Sequence, residues 1–451
     1  MKTTKLLGVG VLILVLMFCL FQFISCKNNK DDFNIILISI DTLRTDHLSL
    51  YGYEYNTSPN IDEFSKKSII FEYALCPIPK TSASVASMMT GLHPFSHGTK
   101  PNKGHLNKKY ITLAECLKLK GYSNFAIVDN ANLSKKYYFN QGFNSYREVW
   151  HETSHLNESS KFITEEALTF LRNNDKNPFF LWLHYLEPHA PYIPPQNYVE
   201  ERPKGRNIQD LEFKVIVGTD HEKQEMKKNP YEGHFISLYD GSIRYVDAEI
   251  GKILKAFQEE KLHKNTIVII TSDHGEDLGE YNFYFDHGPL AFPEAARIPL
   301  IIYIPGQKSK RIGYPVSLMD LYPTLLKQNN LHLPYPIQGQ DLFIEDEERS
   351  LFIYGLLSKT TVFKGFYNVV VFAEFAKSLG IQEKYLFNIQ NDPLGKTDII
   401  DKNLSLSKKM LTLYRQYFQD NQSSDGSYKQ EIDEGLSKKE IEQLKALGYL
   451  K

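Results

Sequence analysis

Two apolar runs in this chain end in carboxylates. Residues 34–40 run into Asp41-Thr42-Leu43-Arg44-Thr45-Asp46-His47, and residues 266–270 run into Thr271-Ser272-Asp273-His274-Gly275-Glu276. Short, continuous apolar runs read as strands buried on both faces, as in parallel sheets. Open α/β sheets take their ligands at the carboxyl ends of such strands. Taken alone, an Asp after a strand is an ordinary cap or turn residue. Together, Asp41, Asp273 and His274 offer two carboxylate oxygens and one imidazole nitrogen at one sheet edge, with a coordination position left for a reacting group. The spacing therefore points to a divalent metal ion. The imidazole favours zinc or manganese, with calcium or magnesium as the alternative, since those two prefer all-oxygen shells. His184, within a third apolar run, reads as a packed residue or a support behind a ligand. Glu276, Asp277 and Glu280 read as a solvated acidic loop, from which one of them or Asp286 could add a ligand.

The elements needed to hold these groups are legible. Residues 58–64 read as a helix with Ser58 as cap and Pro59 at its first position. A helix is expected over 111–120, stopped by Gly121, then a strand over 125–128, an amphipathic helix over 160–173, a strand over 178–183 and a helix over 235–260. Repeated β–α alternation implies a largely parallel sheet covered by helices on both faces. Residues 200–232 are charged and turn-rich, and read as a surface insertion overhanging a site. Past residue 345 the pattern changes to short strands and terminal helices, a smaller α+β subdomain over 346–451 appended to a catalytic domain over 33–345.

Composition bounds the partners. The chain has 451 residues, 52 Lys+Arg against 54 Asp+Glu, and a formal net charge of −2, which argues against nucleic acid. Residues 1–26 look like an export signal: Lys2 and Lys5, an apolar run over 6–25, then Phe23-Ile24-Ser25-Cys26 before a polar stretch. That tetrapeptide resembles a bacterial lipobox, in which the Cys is acylated. An uncleaved anchor is the alternative, since about 20 apolar residues span a bilayer. Both place the remainder outside the cytoplasm and tethered to a membrane. Cys19 and Cys26 fall in this leader, leaving Cys76 and Cys116 as free thiols or one disulfide.

Several segments occur in a telling order: Asp41 to Asp46 with Tyr51-Gly52, Ser87-Met88-Met89-Thr90-Gly91-Leu92-His93-Pro94, Glu187-Pro188-His189-Ala190-Pro191-Tyr192, Ser272-Asp273-His274-Gly275, and Asp286-His287-Gly288. Asp320-Leu321-Tyr322-Pro323-Thr324, Leu386-Phe387-Asn388 and Leu447-Gly448-Tyr449-Leu450 complete the series. In kind and order they resemble the sulfatase branch of the alkaline phosphatase superfamily, over nearly all of residues 33–451. The resemblance implies an alkaline-phosphatase-like fold with the metal set already read. Typical sulfatases carry Cys or Ser, matured to formylglycine, in C/S-x-P-x-R, nine residues before the Thr of a Thr-Gly pair. Nine residues before Thr90 stands Thr81, with Ala83 and Val85 in place of the Pro and Arg. Cys76 sits five residues too early and lacks the Pro. Ser82 or Ser84 becomes the nucleophile only if this register is shifted.

A Thr at this position resembles the phosphotransferase and phosphodiesterase members of the superfamily. It implies Thr81 as both metal ligand and nucleophile, because coordination activates a hydroxyl that is weak at neutral pH. His189 and His287 become partners for the transferred oxygens or proton donors to the leaving group. Arg44 is a substrate-binding residue or, equally, a structural salt bridge, and His93 and His97 position the nucleophile helix. Three functions follow in order. The first is hydrolysis or transfer of small-molecule, glycan-linked or lipid-linked phosphate esters through Thr81. The second is sulfate-ester hydrolysis without formylglycine. It is weakened because Val128-Asp129-Asn130-Ala131 stands where family sulfatases carry Gly-Lys-x-His. The third is a tethered binding protein without turnover.

Overall fold

The computed structural model describes residues 32–151, 159–173, 178–208, 220–332 and 334–420. The leader with its lipobox-like tetrapeptide and the terminal Leu447-Gly448-Tyr449-Leu450 motif lie outside these residues. Eight strands form the central sheet: β1 (Asn34–Ile40), β2 (Ile69–Phe71), β3 (Ser123–Val128), β4 (Ser145–Glu148), β5 (Phe179–Tyr185), β6 (Thr266–Ser272), β7 (Leu300–Tyr303) and β8 (Lys310–Ile312). Their spatial order is β8-β2-β7-β6-β1-β5-β3-β4, and only β7 runs against its neighbours.

Alternation along the strands builds two apolar layers. Ile35 and Leu37 of β1 face one core with Phe180 and Trp182, while Ile36, Ile38 and Ile40 face the other with Leu181 and Leu183. The period of two along a strand makes this division obligatory. The first layer is covered by α1 (Thr81–Thr90), by α2 (Leu113–Leu119) and by the 321–328 helix. The second is covered by the Ser159–Asn173 helix and the 28-residue helix Glu232–Glu259. Helices on both faces explain why β1, β5 and β6 are buried at every residue and read as unbroken apolar runs.

Most expected elements stand. The 58–64 helix is Pro59–Ser65, but Ser58 does not cap it: its hydroxyl donates to Asp62 Oδ1 at 2.9 Å instead. The 111–120 helix starts at Leu113 because Thr112 and Glu115 form a reciprocal capping box. Beyond residue 345 a four-stranded antiparallel sheet runs from Ser350 to Asn388 and carries the Leu404–Asp420 helix. This sheet bonds to the segment after His287, through Leu356 N to Gly288 O and Leu357 N to Pro289 O. Cys76 and Cys116 are both buried free thiols. Among the described residues, no helix is long and apolar enough to cross a membrane.

Candidate active site

Strand register creates the centre. Ile40 of β1 pairs with Ser272 of β6 and with Tyr185 of β5, so the next residues, Asp41 and Asp273, emerge side by side. A sharp turn then carries the chain away. Thr42 holds φ at 56°, a left-handed conformation that a β-branched residue rarely adopts. Tyr239 OH donates to Thr42 O at 2.7 Å, accepts from Arg44 N at 3.1 Å, and so fixes that turn. Strain held by surrounding bonds is common where a side chain must be aimed.

Asp41, Asp273 and His274 are wholly buried, and one ligand atom from each lies within 4.8 Å of the others. His274 Nε2 is 3.7 Å from Asp41 Oδ1 and 3.5 Å from Asp273 Oδ2. Both of those oxygens lack a hydrogen-bond partner. Donor separations of roughly 3.4 Å are those expected around a tetrahedral ion with bonds near 2.1 Å. His274 Nδ1 lies 2.9 Å from Gly275 O, so it carries the proton and leaves the Nε2 lone pair facing the two acids. Burial lowers this imidazole to about 4, and it is neutral at pH 7. Burial, and then the Asp41 charge, push the Asp273 carboxyl well above its usual range. Such a group is what a divalent cation would return to its ionised state. The donor set fits a metal ion.

Thr81 sits in the first turn of α1, 1 % exposed, with Oγ1 3.2 Å from His274 Nε2. The other hydroxyls of that turn are committed to the backbone: Ser82 donates to Asn132 O and Ser84 to Asp273 O. Cys76 Sγ donates to Ala295 O at 3.8 Å. Burial and the Asp273 charge push its thiol up, so it is no thiolate. His189 and His287 are brought to the same place. Their ring centroids are 5.1 Å apart, and His287 lies 4.2 Å from His274.

The expected solvated acidic loop is corrected. Glu276 and Asp277 are buried, because Glu276 Oε1 lies 3.1 Å from His287 Nδ1 and Asp277 pairs with Asp286 in a two-stranded ribbon. Only Glu280 is exposed. Burial and the nearby acids raise Glu276 well above its usual range, and burial and Lys80 lower His287. Arg44 makes a buried salt bridge. It is 2 % exposed, forks onto both Asp46 oxygens at 2.9 and 2.7 Å, and reaches Glu276 O and Glu280.

Two contributors, Asn130 and Lys80, escaped the sequence reading. Asn130 Nδ2 donates to Asp41 Oδ2 at 2.7 Å, which orients the carboxylate. Its only signal was its place just past β3. His184, read correctly as a support, has Nε2 3.4 Å from the same oxygen and Nδ1 2.8 Å from Ser39 Oγ. Lys80, directly before Thr81, is 5 % exposed and 3.4 Å from Asp286 Oδ1. Its stem runs against Gly288 (φ 106°), where a Cβ would stand 2.2 Å from Lys80 Cε. We expect Asn130→Ala to weaken metal binding about 10- to 100-fold, the usual cost of losing a partner behind a ligand. Competition titration against a chromogenic chelator measures it.

His97 braces α1 from its far end, with Nε2 3.0 Å from Ser87 Oγ and Nδ1 accepting from Thr99 N. Burial lowers His97 to about 3 and His93 to about 4. In the unfolded chain both protonate near 6.5, so stability is full above that pH and falls as pH drops from 6.5 toward 4. The loss reaches about 3 kcal/mol per imidazole. Thermal melts across that window, compared with those of His97→Gln, test this.

The Sulfatase family model matches residues 33–330. An arylsulfatase of Clostridium perfringens (strain 13 / Type A) is 25 % identical over 454 aligned positions, covering 82 % of this chain and 90 % of that protein. A solved structure in complex with its substrate D-glucosamine-2-N,6-O-disulfate superposes with a TM-score of 0.71 at 19 % identity, covering 88 % of this chain and all of that one. The phosphonate monoester hydrolase of Agrobacterium radiobacter superposes at 0.65 with 18 % identity, over 85 % of this chain and 96 % of that one. These superpositions carry the fold. The family match spans well over half of the chain, so the chain belongs to the sulfatase family.

Proposed function

We propose that this sulfatase-family protein cleaves or transfers phosphate esters through Thr81, with a divalent metal ion held by Asp41, Asp273, His274 and Thr81. The observation that carries this reading is a Thr hydroxyl, rather than a Cys or Ser, in the first turn of α1 and 3.2 Å from His274 Nε2. Zinc or manganese suits the mixed oxygen and nitrogen donors. Bound there, the ion would acidify the Thr81 hydroxyl and take up charge on the transferred group. The Thr81 hydroxyl gives its proton to solvent, and Oγ1 forms the new bond to phosphorus as the in-line bond from phosphorus to the departing ester oxygen breaks. His287 and His189 supply hydrogen bonds to the oxygens of the transferred group and the proton to the leaving alcohol. Lys80 places a fixed positive charge beside them. Water or a second alcohol then releases the group from Thr81.

A second reading, sulfate-ester hydrolysis at the same centre, is favoured by the arylsulfatase relative. Matched 4-nitrophenyl phosphate, phosphonate, phosphodiester and sulfate esters, assayed with zinc or manganese, separate the two. The Thr81 reading expects kcat/KM on a phosphorus ester to exceed that on the sulfate by at least about tenfold, or about 1.4 kcal/mol. Faster sulfate cleavage would favour the second. We further propose that the protein works outside the cytoplasm, tethered through Cys26. Cys26→Ser should leave a precursor that retains residues 1–25 and lacks acylation. Intact mass of the membrane-extracted wild type decides: an unmodified Cys26 still joined to Met1 would instead indicate an anchor.

A further inference from the structure

We propose that the edge of the central sheet where its parallel strands begin lies against an anionic lipid bilayer, the one that holds the Cys26 tether, so that the Thr81 centre faces away from it. The proposal deepens the tethered reading and rests on it. The described chain enters at this edge. Asp32 pairs with Lys120, Phe33 N donates to Asn329 Oδ1 at 3.0 Å, Tyr122 OH donates to Phe33 O at 2.8 Å, and Asn34 N donates to Asn265 O at 2.8 Å. The entry point is thereby pinned at the amino end of β1. Six Cα steps separate Cys26 from Asp32, a reach of at most about 21 Å. β1 rises through seven residues before Asp41, or about 23 Å, and the catalytic loops stand beyond it. A tether of that reach cannot bring the catalytic edge to the bilayer. Charge then selects which surface around the entry point meets the lipid.

The connections at this edge are basic. Residues 66–68 lead into β2, 118–122 into β3 and 259–265 into β6, while 304–310 turn from the antiparallel β7 into β8. Together these segments hold eight lysines against two acids, Glu259 and Glu260. At the chain average they would carry about two or three Lys or Arg. Lys67, Lys118, Lys261, Lys264 and Lys308 are exposed, and Glu259 lies 3.7 Å from Lys255. The opposite edge carries Asp41, Asp129, Glu187, Asp273, Glu276 and Asp277. A net charge of −2 thus conceals a polarised molecule. An anionic surface attracts the lysine edge and not the acidic one, within about a Debye length of 8–10 Å.

The spread of these lysines suits a plane. From β2 to β3 the sheet order counts five strand intervals, about 24 Å, so the charges tile an edge instead of lining a cleft. Leu119 is 84 % exposed at the end of α2. A lone exposed leucine is ordinary. Between Lys118 and Lys120 on this edge, it is an apolar side chain placed to enter the headgroup boundary beside charges that stay in it. Docked in this way, the Thr81 centre opens to the aqueous side. Its ester then arrives on a soluble molecule or polymer, not on a headgroup of the leaflet that carries the tether.

The test uses the full chain with its tether, reconstituted into vesicles of about two parts phosphatidylcholine to one part phosphatidylglycerol. A fluorophore is placed on Leu119→Cys or on Ile193→Cys, which follows β5 on the catalytic edge and is 37 % exposed. Cys76 and Cys116 are buried and leave the label to the new cysteine. A contact-range nitroxide quencher on the lipid headgroup should quench position 119 several-fold more than position 193. Lys118→Glu/Lys261→Glu/Lys264→Glu should bring quenching at 119 down to that at 193, with an unchanged melting temperature. Vesicles of phosphatidylcholine alone should do the same to the wild type. Equal or greater quenching at 193 in the wild type, or unchanged quenching at 119 in the triple variant, would overturn the lysine edge as the docking surface. Protein that floats with the vesicles but is unquenched at 119 would overturn it too and leave the tether standing. Protein that fails to float with the vesicles would overturn both.

Discussion

Thr81→Ala lowers turnover of the best phosphorus ester by at least about 10³-fold, the scale on which loss of a nucleophile acts. The protein stays folded and binds metal through Asp41, Asp273 and His274. The expectation follows from position. Thr81 carries the one hydroxyl of its turn that faces His274, while Ser82 and Ser84 are engaged by backbone carbonyls. Thr81→Ser keeps part of the activity, since it retains the hydroxyl but loses the methyl that limits its rotamers. Cys76→Ala costs packing and little turnover, because Cys76 is wholly buried against the 295–296 backbone. Steady-state rates beside metal analysis check all three variants. A dead Cys76→Ala with an active Thr81→Ala would move the nucleophile to position 76.

Asp273→Ala and Asp41→Ala lose bound metal and activity together, by more than the about 100-fold that marks loss of a mere supporting partner. Each removes one of the two unpaired buried oxygens that face His274 Nε2. The folded protein should tolerate Asp273→Ala better without metal than with it, because the carboxyl is buried and raised by burial and by Asp41. Elemental analysis after dialysis, with melting curves in the presence and absence of zinc, measures both effects. Full metal stoichiometry in either variant would remove that residue from the ligand set.

The metal trio was legible because parallel register is regular: once β1 and β6 are recognised as adjacent buried strands, Asp41 and Asp273 must emerge together. Burial of Glu276 and Asp277 was not legible, because acidic runs after a strand are usually solvated. Here an antiparallel ribbon and the His287 ring enclose them. Arg44 shows a related limit. Its sequence neighbour Asp46 is an obvious partner, but Glu280 and the Glu276 carbonyl, which complete its fork, lie more than 200 residues away. Asn130 and Lys80 carry no motif of their own. They matter through the tertiary approach of β3 and of Gly288, which no local pattern encodes.

The most direct measurement is peptide mapping of the enzyme quenched during turnover of ³²P-labelled phosphate ester with bound metal. The account predicts label on the peptide containing Thr81, absent in Thr81→Ala and stabilised when the metal is removed after quenching. An unlabelled Thr81 peptide, or an aldehyde at Cys76, would contradict it.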